Sequence, residues 1–189
     1  FEILKSIAAT INNNFFIYTS NVDGQFQKAG FSSKQIVEIH GSIHNLQCTK
    51  PCKEVIYSAQ DFYPETNDEH CLLTSDLPLC KNCGELLRPN ILMFDDGQWI
   101  EKECNNQEKT YRKWLSINST NRVIIELGAG TAIPSIRMHG ENIKGALIRI
   151  NPRESQIPAG KGFSLRCGAL EGLELIKEEL QKLKFIDHE

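Results

Sequence analysis

Short apolar runs alternate along this chain with stretches in which apolar residues recur at helical spacing. The helical period predicts helices at residues 3–13, 99–117 and 169–184. Apolar runs bounded by polar residues or glycine predict strands at residues 15–18, 36–39, 90–94, 123–127 and 146–150. Strands that alternate with helices predict an α/β fold with a mostly parallel sheet covered on both faces.

Residues 43–90 interrupt this alternation. They show little periodicity and contain five of the seven cysteines in the chain. We therefore predict two parts: a main α/β domain made of residues 1–42 and 91–189, and a small module, residues 43–90, inserted into it.

Composition and charge exclude some function classes. The chain has 189 residues and a formal net charge of −3, so no broad basic field is available for nucleic acid. Six acidic residues and one lysine lie between Cys52 and Cys80, which makes the inserted module a poor nucleic-acid binder. No apolar run approaches the ~20 residues of a membrane-spanning helix. We predict no direct nucleic-acid partner and no membrane segment.

Four cysteines form two close pairs, Cys48-x3-Cys52 and Cys80-x2-Cys83, with 27 residues between the pairs. Two such pairs, each in a turn, can close a tetrahedral zinc site, and four thiolates leave no open position, so the zinc would be structural. Two disulfides or free thiols are the alternatives, and His70 and Cys71 are rival ligands that lack a paired turn. Because paired cysteines bind metal mainly in reducing compartments, we expect an intracellular protein, cytoplasmic or nuclear.

Four predicted strands end in polar or glycine-rich tips. These are Ser20–Gly24, His40-Gly41, Gly128–Thr131 and Asn151–Arg153. In an open α/β sheet ligands bind beyond the carboxyl ends of the strands, so these tips predict a ligand site on one edge.

The chemistry of each tip leaves alternatives open. Gly128–Thr131 can turn backbone N–H groups toward an anion, or can be a plain tight turn. Asn151 can hydrogen-bond a ribose hydroxyl, or can simply mark a turn before Pro152. His40 is the candidate general base, against the alternative of a structural histidine. His44 is interpreted as a packing residue.

Taken together, these motifs resemble those of the sirtuin family, the NAD-dependent protein deacylases. The resemblance is carried by YTSNVDGQFQKAG at 18–30, EIHGS at 38–42, the two cysteine pairs, CGELLRPNILMFDD at 83–96, GAGTAIP at 128–134 and INP at 150–152. It implies a Rossmann-like sheet that binds NAD, with residues 43–90 as a zinc-ribbon module.

The resemblance also implies a reaction and its residues. The amide oxygen of an acyl-lysine would attack C1′ of the nicotinamide ribose as nicotinamide leaves. His40 would then accept a proton through the ribose hydroxyls, and the acyl group would end on ADP-ribose. Asn21 would contact the ribose side and place water, and Asp23 would hold the nicotinamide carboxamide. NAD is then a co-substrate, and an acyl-lysine protein or peptide is the partner.

Further contacts are implied for NAD and for the substrate peptide. The implied NAD contacts are Ser20, Gly128, Ala129, Gly130, Thr131, Asn151, Pro152 and Cys167, and the implied peptide contacts are Phe94 and Asp95. The chain departs from the family at three of these places. Ser20 replaces the usual Gln, Asp95-Asp96 replaces Gly-Glu, and the turn at 128–131 replaces Gly-Thr-Ser.

The family's glycine-rich first strand turn and its cofactor loop precede the region where this chain begins. We therefore expect the first strand–turn–helix unit to be missing, and these 189 residues alone to bind NAD weakly or not at all and to show no deacylase turnover. Two alternatives to a deacylase stay open: an ADP-ribosyltransferase or NAD hydrolase on the same scaffold, and a non-catalytic zinc-bearing interaction module. The acyl group, the target protein and the oligomeric state are not predicted.

Overall fold

The computed structural model describes residues 1–186, so the last three residues of the predicted main domain lie outside the described part. Its helices and strands, in chain order, are α1 (Glu2–Thr10), β1 (Ile17–Thr19), α2 (Gln25–Lys28), β2 (Ile36–Glu38), β3 (Gly41–Cys48), β4 (Ile56–Ser58), β5 (Thr66–Asn67), β6 (Leu72–Leu73), β7 (Leu87–Ile91), α3 (Lys102–Ile117), β8 (Val123–Leu127), α4 (Ser135–Asn142), β9 (Ala146–Ile150), β10 (Gly162–Leu165) and α5 (Ala169–Lys182). None of the helices in this part of the chain is long and apolar enough to cross a bilayer.

The chain divides into two compact units, which are described separately. The first contains Phe1–Ile17 and the chain from Tyr111 onward, and the second is Tyr18–Thr110. The predicted boundaries of the inserted module, 43–90, stay a prediction.

The first unit is built on a parallel sheet with the strand order β10-β9-β8. Val123 pairs with Ala146 and Leu127 with Ile150, so β8 and β9 are in register over their whole length. Leu147 and Ile150 of β9 are almost fully buried. Helix α5 approaches β9 closely, because a Cβ on Gly172 would lie 2.5 Å from Cγ2 of Ile150. The parallel α/β architecture predicted from the sequence is confirmed here.

The second unit contains short, mainly antiparallel sheets. Strand β1 pairs with β2, β3 lies between β4 and β7, and β5 pairs with β6. A buried polar network holds this unit together around Gln47. Its Oε1 accepts the Asn90 side-chain amide at 2.7 Å and the Ile100 N–H at 2.9 Å. Buried polar atoms stabilise a fold when they are paired in this way.

Some predicted elements differ from those of the structure. The predicted strand at 90–94 is wrong beyond Ile91, since β7 covers Leu87–Ile91 and the chain then leaves the sheet. It turns at Asp95, which has a left-handed backbone (φ 55°). The sequence analysis missed β10 and α4, which have few apolar residues at a regular period.

Candidate functional site

Two of the predicted strand tips follow neighbouring strands in the second unit. The Ile39 N–H donates to the Thr19 carbonyl at 2.9 Å. Ile39 is the first residue after β2, and Thr19 is the last residue of β1. This bond joins the carboxyl ends of the two strands, so Ser20–Gly24 and His40 follow the same edge. The Ile43 N–H, bonded to the Val22 carbonyl at 2.9 Å, connects the start of β3 to the first tip.

The first tip has a defined backbone shape. The Asn21 N–H donates to the Thr19 hydroxyl oxygen at 3.1 Å, and the Asn21 side chain is exposed. Asp23 Oδ1 accepts the N–H of Gln25, the first residue of α2, at 3.3 Å. Gly24 has a left-handed backbone (φ 65°), which lets the chain turn from the tip into that helix. An exposed amide and an oriented carboxylate therefore stand at the edge where a ligand was predicted.

His44 contacts this tip, although its side chain is exposed to solvent. Its Nε2 is 3.2 Å from the Asp23 carbonyl oxygen, and a Cβ on Gly24 would lie only 2.7 Å from the ring. The ring therefore packs on the backbone of Asp23 and Gly24, the kind of place expected for it from the sequence.

His40 is half-buried and lies two residues after the end of β2. Its carbonyl accepts the Leu92 N–H at 2.9 Å, so its backbone is anchored. The next residue, Gly41, has φ 76°, and a Cβ there would lie 2.0 Å from the Asn90 carbonyl oxygen. Only glycine fits this close approach, which explains the His-Gly pair of the sequence.

The sequence analysis missed Glu38, two residues before His40. Glu38 is only 6% exposed, and burial raises the pKa of its carboxyl group above the usual range, against the lowering effect of hydrogen bonds with Gln27, Gln107 and Ser42. An acidic residue inside the apolar run Ile36–Ile39 was the available signal, because a buried carboxyl group with a shifted pKa often marks a functional site.

The predicted peptide-contacting residues lie just beyond β7. Phe94 is 86% exposed, and Leu92 and Met93 before it are also exposed. Asp95 has a left-handed backbone, a conformation that glycine adopts freely and that aspartate tolerates better than most residues. Asp96 is ion-paired with Arg88 at 2.7 Å, which fixes the end of this segment.

The four cysteines converge at one point of the second unit. The Sγ atoms of Cys48, Cys52, Cys80 and Cys83 all lie within 4.8 Å of one another, and the Cys48–Cys83 and Cys52–Cys80 distances are both 3.7 Å. Zn–S bonds of about 2.3 Å place tetrahedral thiolates about 3.8 Å apart. A disulfide needs about 2.05 Å, and all seven cysteines are free. The cluster therefore fits Zn²⁺. Four thiolates would fill the tetrahedral coordination of the ion and leave no open position for catalysis.

Backbone hydrogen bonds bring the two cysteine turns together. The Cys80 N–H donates to the Glu85 carbonyl at 2.7 Å, and the Thr49 N–H donates to the Leu86 carbonyl at 2.9 Å. Side chains around the sulfur atoms add further donors. The Asn82 amide is 3.1 Å from Cys52 Sγ, and the Tyr57 hydroxyl is 3.5 Å from Cys80 Sγ. Such donors stabilise thiolates around a bound cation.

The other predicted nucleotide contacts lie in the first unit. The turn Gly128–Thr131 follows β8, and the Gly128 N–H donates to the Ile150 carbonyl at 3.0 Å. Asn151 follows β9, and its Nδ2 donates to the Ala129 carbonyl at 3.1 Å. The structure thus brings the glycine turn and Asn151 into direct contact.

The loop after Asn151 is held by Arg137, which the sequence analysis missed. Arg137 lies on α4 and donates to the carbonyls of Glu154 (2.8 Å) and Gln156 (2.7 Å). Pro152 accepts from Arg166 at 3.4 Å. Cys167 is half-buried, and burial, together with the charge of Glu171, raises the pKa of its thiol. A thiol with a raised pKa is a poor nucleophile, in agreement with a packing or contact role.

Comparison with known proteins identifies the family. The model of the Sir2 family matches residues 2–133, which include both tips of the second unit and all four clustered cysteines. The chain belongs to the Sir2 family. A solved structure of the Sir2 protein Sir2Tm with a propionylated peptide shares its fold, with a TM-score of 0.61 and 22% identity, covering 94% of this chain and 68% of that one.

Two relatives with similar sequences carry functional names. An NAD-dependent protein deacylase of Pyrococcus furiosus is 29% identical over 88% of this Sir2 chain. A probable bifunctional ADP-ribose hydrolase/ADP-ribosyltransferase of Fusarium oxysporum f. sp. cubense is 28% identical over 86% of the chain, which covers 28% of that protein. The Sir2 chain spans 62% of the length of the Pyrococcus protein.

Proposed function

We propose that the protein carrying this chain is an NAD-dependent protein-lysine deacylase, which passes the acyl group to ADP-ribose and releases nicotinamide. The proposal depends on the bond between the Ile39 N–H and the Thr19 carbonyl. This bond joins the ends of β1 and β2, and Asn21, Asp23 and His40 lie just beyond those ends. Membership of the Sir2 family and the deacylase name of the Pyrococcus relative support this reading.

Each residue of this edge has a proposed task. NAD, when bound, supplies the bond that breaks between nicotinamide and ribose and the hydroxyl that receives the acyl group. The carboxylate of Asp23, oriented by its hydrogen bond with the Gln25 N–H, holds the nicotinamide carboxamide. The exposed amide of Asn21 orients water on the ribose side. His40 accepts a proton from a ribose hydroxyl, a general-base step suited to a neutral imidazole.

The segment after β7 is the proposed peptide-binding region. Leu92, Met93 and Phe94 are exposed, which leaves apolar side chains available to a ligand. A peptide in extended conformation would add backbone hydrogen bonds beside this segment, as in β-augmentation. The Sir2Tm structure with a propionylated peptide supports an acyl-lysine peptide as the class of substrate.

The metal and the compartment complete the proposal. A Zn²⁺ ion on the four clustered thiols would hold the fold of the second unit and take no part in acyl transfer. Because clustered cysteines bind metal mainly in reducing compartments, we propose an intracellular location, cytoplasmic or nuclear.

Nicotinamide release by the full-length protein tests the proposal. We expect release from NAD to depend on an acetyl-lysine peptide and to match the appearance of free lysine. The same peptide with unmodified lysine is the control and should give background release. Equal nicotinamide release with the acetylated and the unmodified peptide would contradict the proposal of a deacylase.

The Fusarium relative supports a second candidate, an ADP-ribosyltransferase or NAD hydrolase on the same scaffold. In that case, label from NAD would enter protein or free ADP-ribose without loss of any acyl group. A third possibility, a non-catalytic interaction module, would show neither product, and absence of NAD binding by the full-length protein would favour it.

A further inference from the structure

The side chain of Glu154 lies directly on the glycine turn Gly128–Thr131. The Thr131 N–H donates to Glu154 Oε2 at 3.0 Å, and the Thr131 hydroxyl donates to Oε1. A Cβ on Gly130 would lie 3.2 Å from Oε2, so the carboxylate covers the turn closely. A carboxylate in this position uses the same kind of backbone donor that such turns offer to a phosphate.

The backbone of Glu154 is held from two sides by buried groups. Asn151 Oδ1 accepts the Glu154 N–H at 2.8 Å, and Arg137 donates to the Glu154 carbonyl at 2.8 Å. Asn151 is only 5% exposed and Arg137 only 9%. The Gln156 carbonyl, 2.7 Å from Arg137, holds the loop two residues further on. These contacts aim the Glu154 side chain at the turn.

The carboxylate also brings negative charge to the turn. Hydrogen bonds from the Thr131 hydroxyl and N–H lower the pKa of Glu154 below its usual range, and Arg137 and Arg153 act in the same direction. The group is therefore ionised at neutral pH. A second anion brought to the same donor is repelled by it.

We propose that Glu154 is a built-in carboxylate that occupies the anion position of the glycine turn, and that a phosphate-bearing ligand must displace it to reach Thr131. The inference rests on the proposed function, because NAD, the co-substrate of that function, carries the phosphates that the turn was predicted to contact. Beyond that function, the inference assigns to Glu154 a role in setting how tightly the turn holds a phosphate.

Charge removal at this single side chain tests the proposal. Glu154→Gln keeps the shape of the side chain and removes its charge, so the full-length variant should bind ADP-ribose about tenfold more tightly than the unaltered protein, as measured by calorimetry. Glu174→Gln, which makes the same charge change on the exposed surface of α5, is the matched control and should leave the affinity unchanged.

A second variant makes the test independent of enzyme activity. In Glu154→Ala the Thr131 amide loses its carboxylate partner, so inorganic pyrophosphate should shift the Thr131 amide NMR signal at about one-tenth of the concentration needed in the unaltered protein. Equal or weaker ADP-ribose binding by Glu154→Gln, with normal binding by the unaltered protein, would overturn this inference and leave the proposed function standing. Failure of the unaltered protein and both variants to bind ADP-ribose would overturn both.

Discussion

The guanidinium of Arg149 donates to both carboxylate oxygens of Glu126 across the neighbouring parallel strands β9 and β8, where the two residues are register partners. Arg149 is 0% exposed and Glu126 only 3%. A second carboxylate, Glu141 on α4, accepts from the same guanidinium at 2.8 Å. The first unit therefore buries an ion pair between two strands whose other interior residues are apolar.

Removal of the arginine should destabilise the first unit strongly. We expect Arg149→Met to lower the free energy of unfolding by about 3–5 kcal/mol, because Glu126 would be left buried without its cation. Chemical denaturation followed by circular dichroism measures this. The double variant Arg149→Met/Glu126→Leu removes both charges and should recover more than half of the loss. A single variant as stable as the unaltered protein would contradict a buried, charged pair.

The cysteine cluster predicts one bound zinc per chain. We expect metal analysis of purified protein to find one zinc ion, and Cys80→Ala to lose it and to unfold the region around residues 43–90, since such a site contributes on the order of 10 kcal/mol to folding. Cys71→Ala is the control, because Cys71 is an exposed cysteine outside the cluster and should retain the metal. Protein that contains no zinc and carries Cys48 and Cys83 in disulfides would refute the site.

His40 should be required for turnover in the full-length protein. His40→Ala removes the proposed base and should reduce the rate by about 10²–10⁴-fold, with a smaller change in NAD affinity. Steady-state nicotinamide release and NAD titration together separate these two effects. His70→Ala, an exposed histidine elsewhere in the second unit, should leave both unchanged. A His40→Ala variant that turns over at the normal rate would exclude the role.

The buried carboxyl of Glu38 predicts a pH dependence of stability. Its pKa is raised in the folded protein, mainly by burial, so the folded state holds this proton more tightly than the unfolded chain. Its contribution is therefore fully present below the ordinary value of 4.5 and is lost as the pH rises through the raised folded-state pKa. Glu38→Gln, which stays neutral, should unfold at a higher temperature at neutral pH and lose this part of the pH dependence. Melting curves of both proteins between pH 4 and 8 would show no difference if Glu38 were not desolvated.

Strands with continuous apolar runs were predicted well from the sequence. The bounds of β8 and β9 match the predicted 123–127 and 146–150, because each is a short apolar run with partly or fully buried residues at its centre. The zinc cysteines were also predictable, since metal geometry restricts ligand spacing and the four thiols do converge.

Polar parts of the fold were not predictable in the same way. Helix α4 has no clear apolar stripe, because it contributes Arg137 and Glu141 to a network of ion pairs and carbonyl contacts. The buried partners Glu126 and Arg149 each interrupt an apolar run with a charge of opposite sign. That pairing was a usable signal, but it becomes specific only when the register of β8 and β9 is known.

Strand β3 begins at Gly41, the residue after His40, and ends at Cys48. A strand advances about 3.4 Å per residue, so a single strand of roughly 24 Å joins the proposed base to the first metal ligand, with a shift in its pairing with β7 between Ser42 and Leu46. Oxidation of the thiols would release the Cys48 end of this strand, while the hydrogen bond between the His40 carbonyl and the Leu92 N–H would still hold the other end. The proposed base and the metal cluster therefore share one structural element, and a change at the cysteines would reach His40 only through the sheet that β3 forms with β4 and β7.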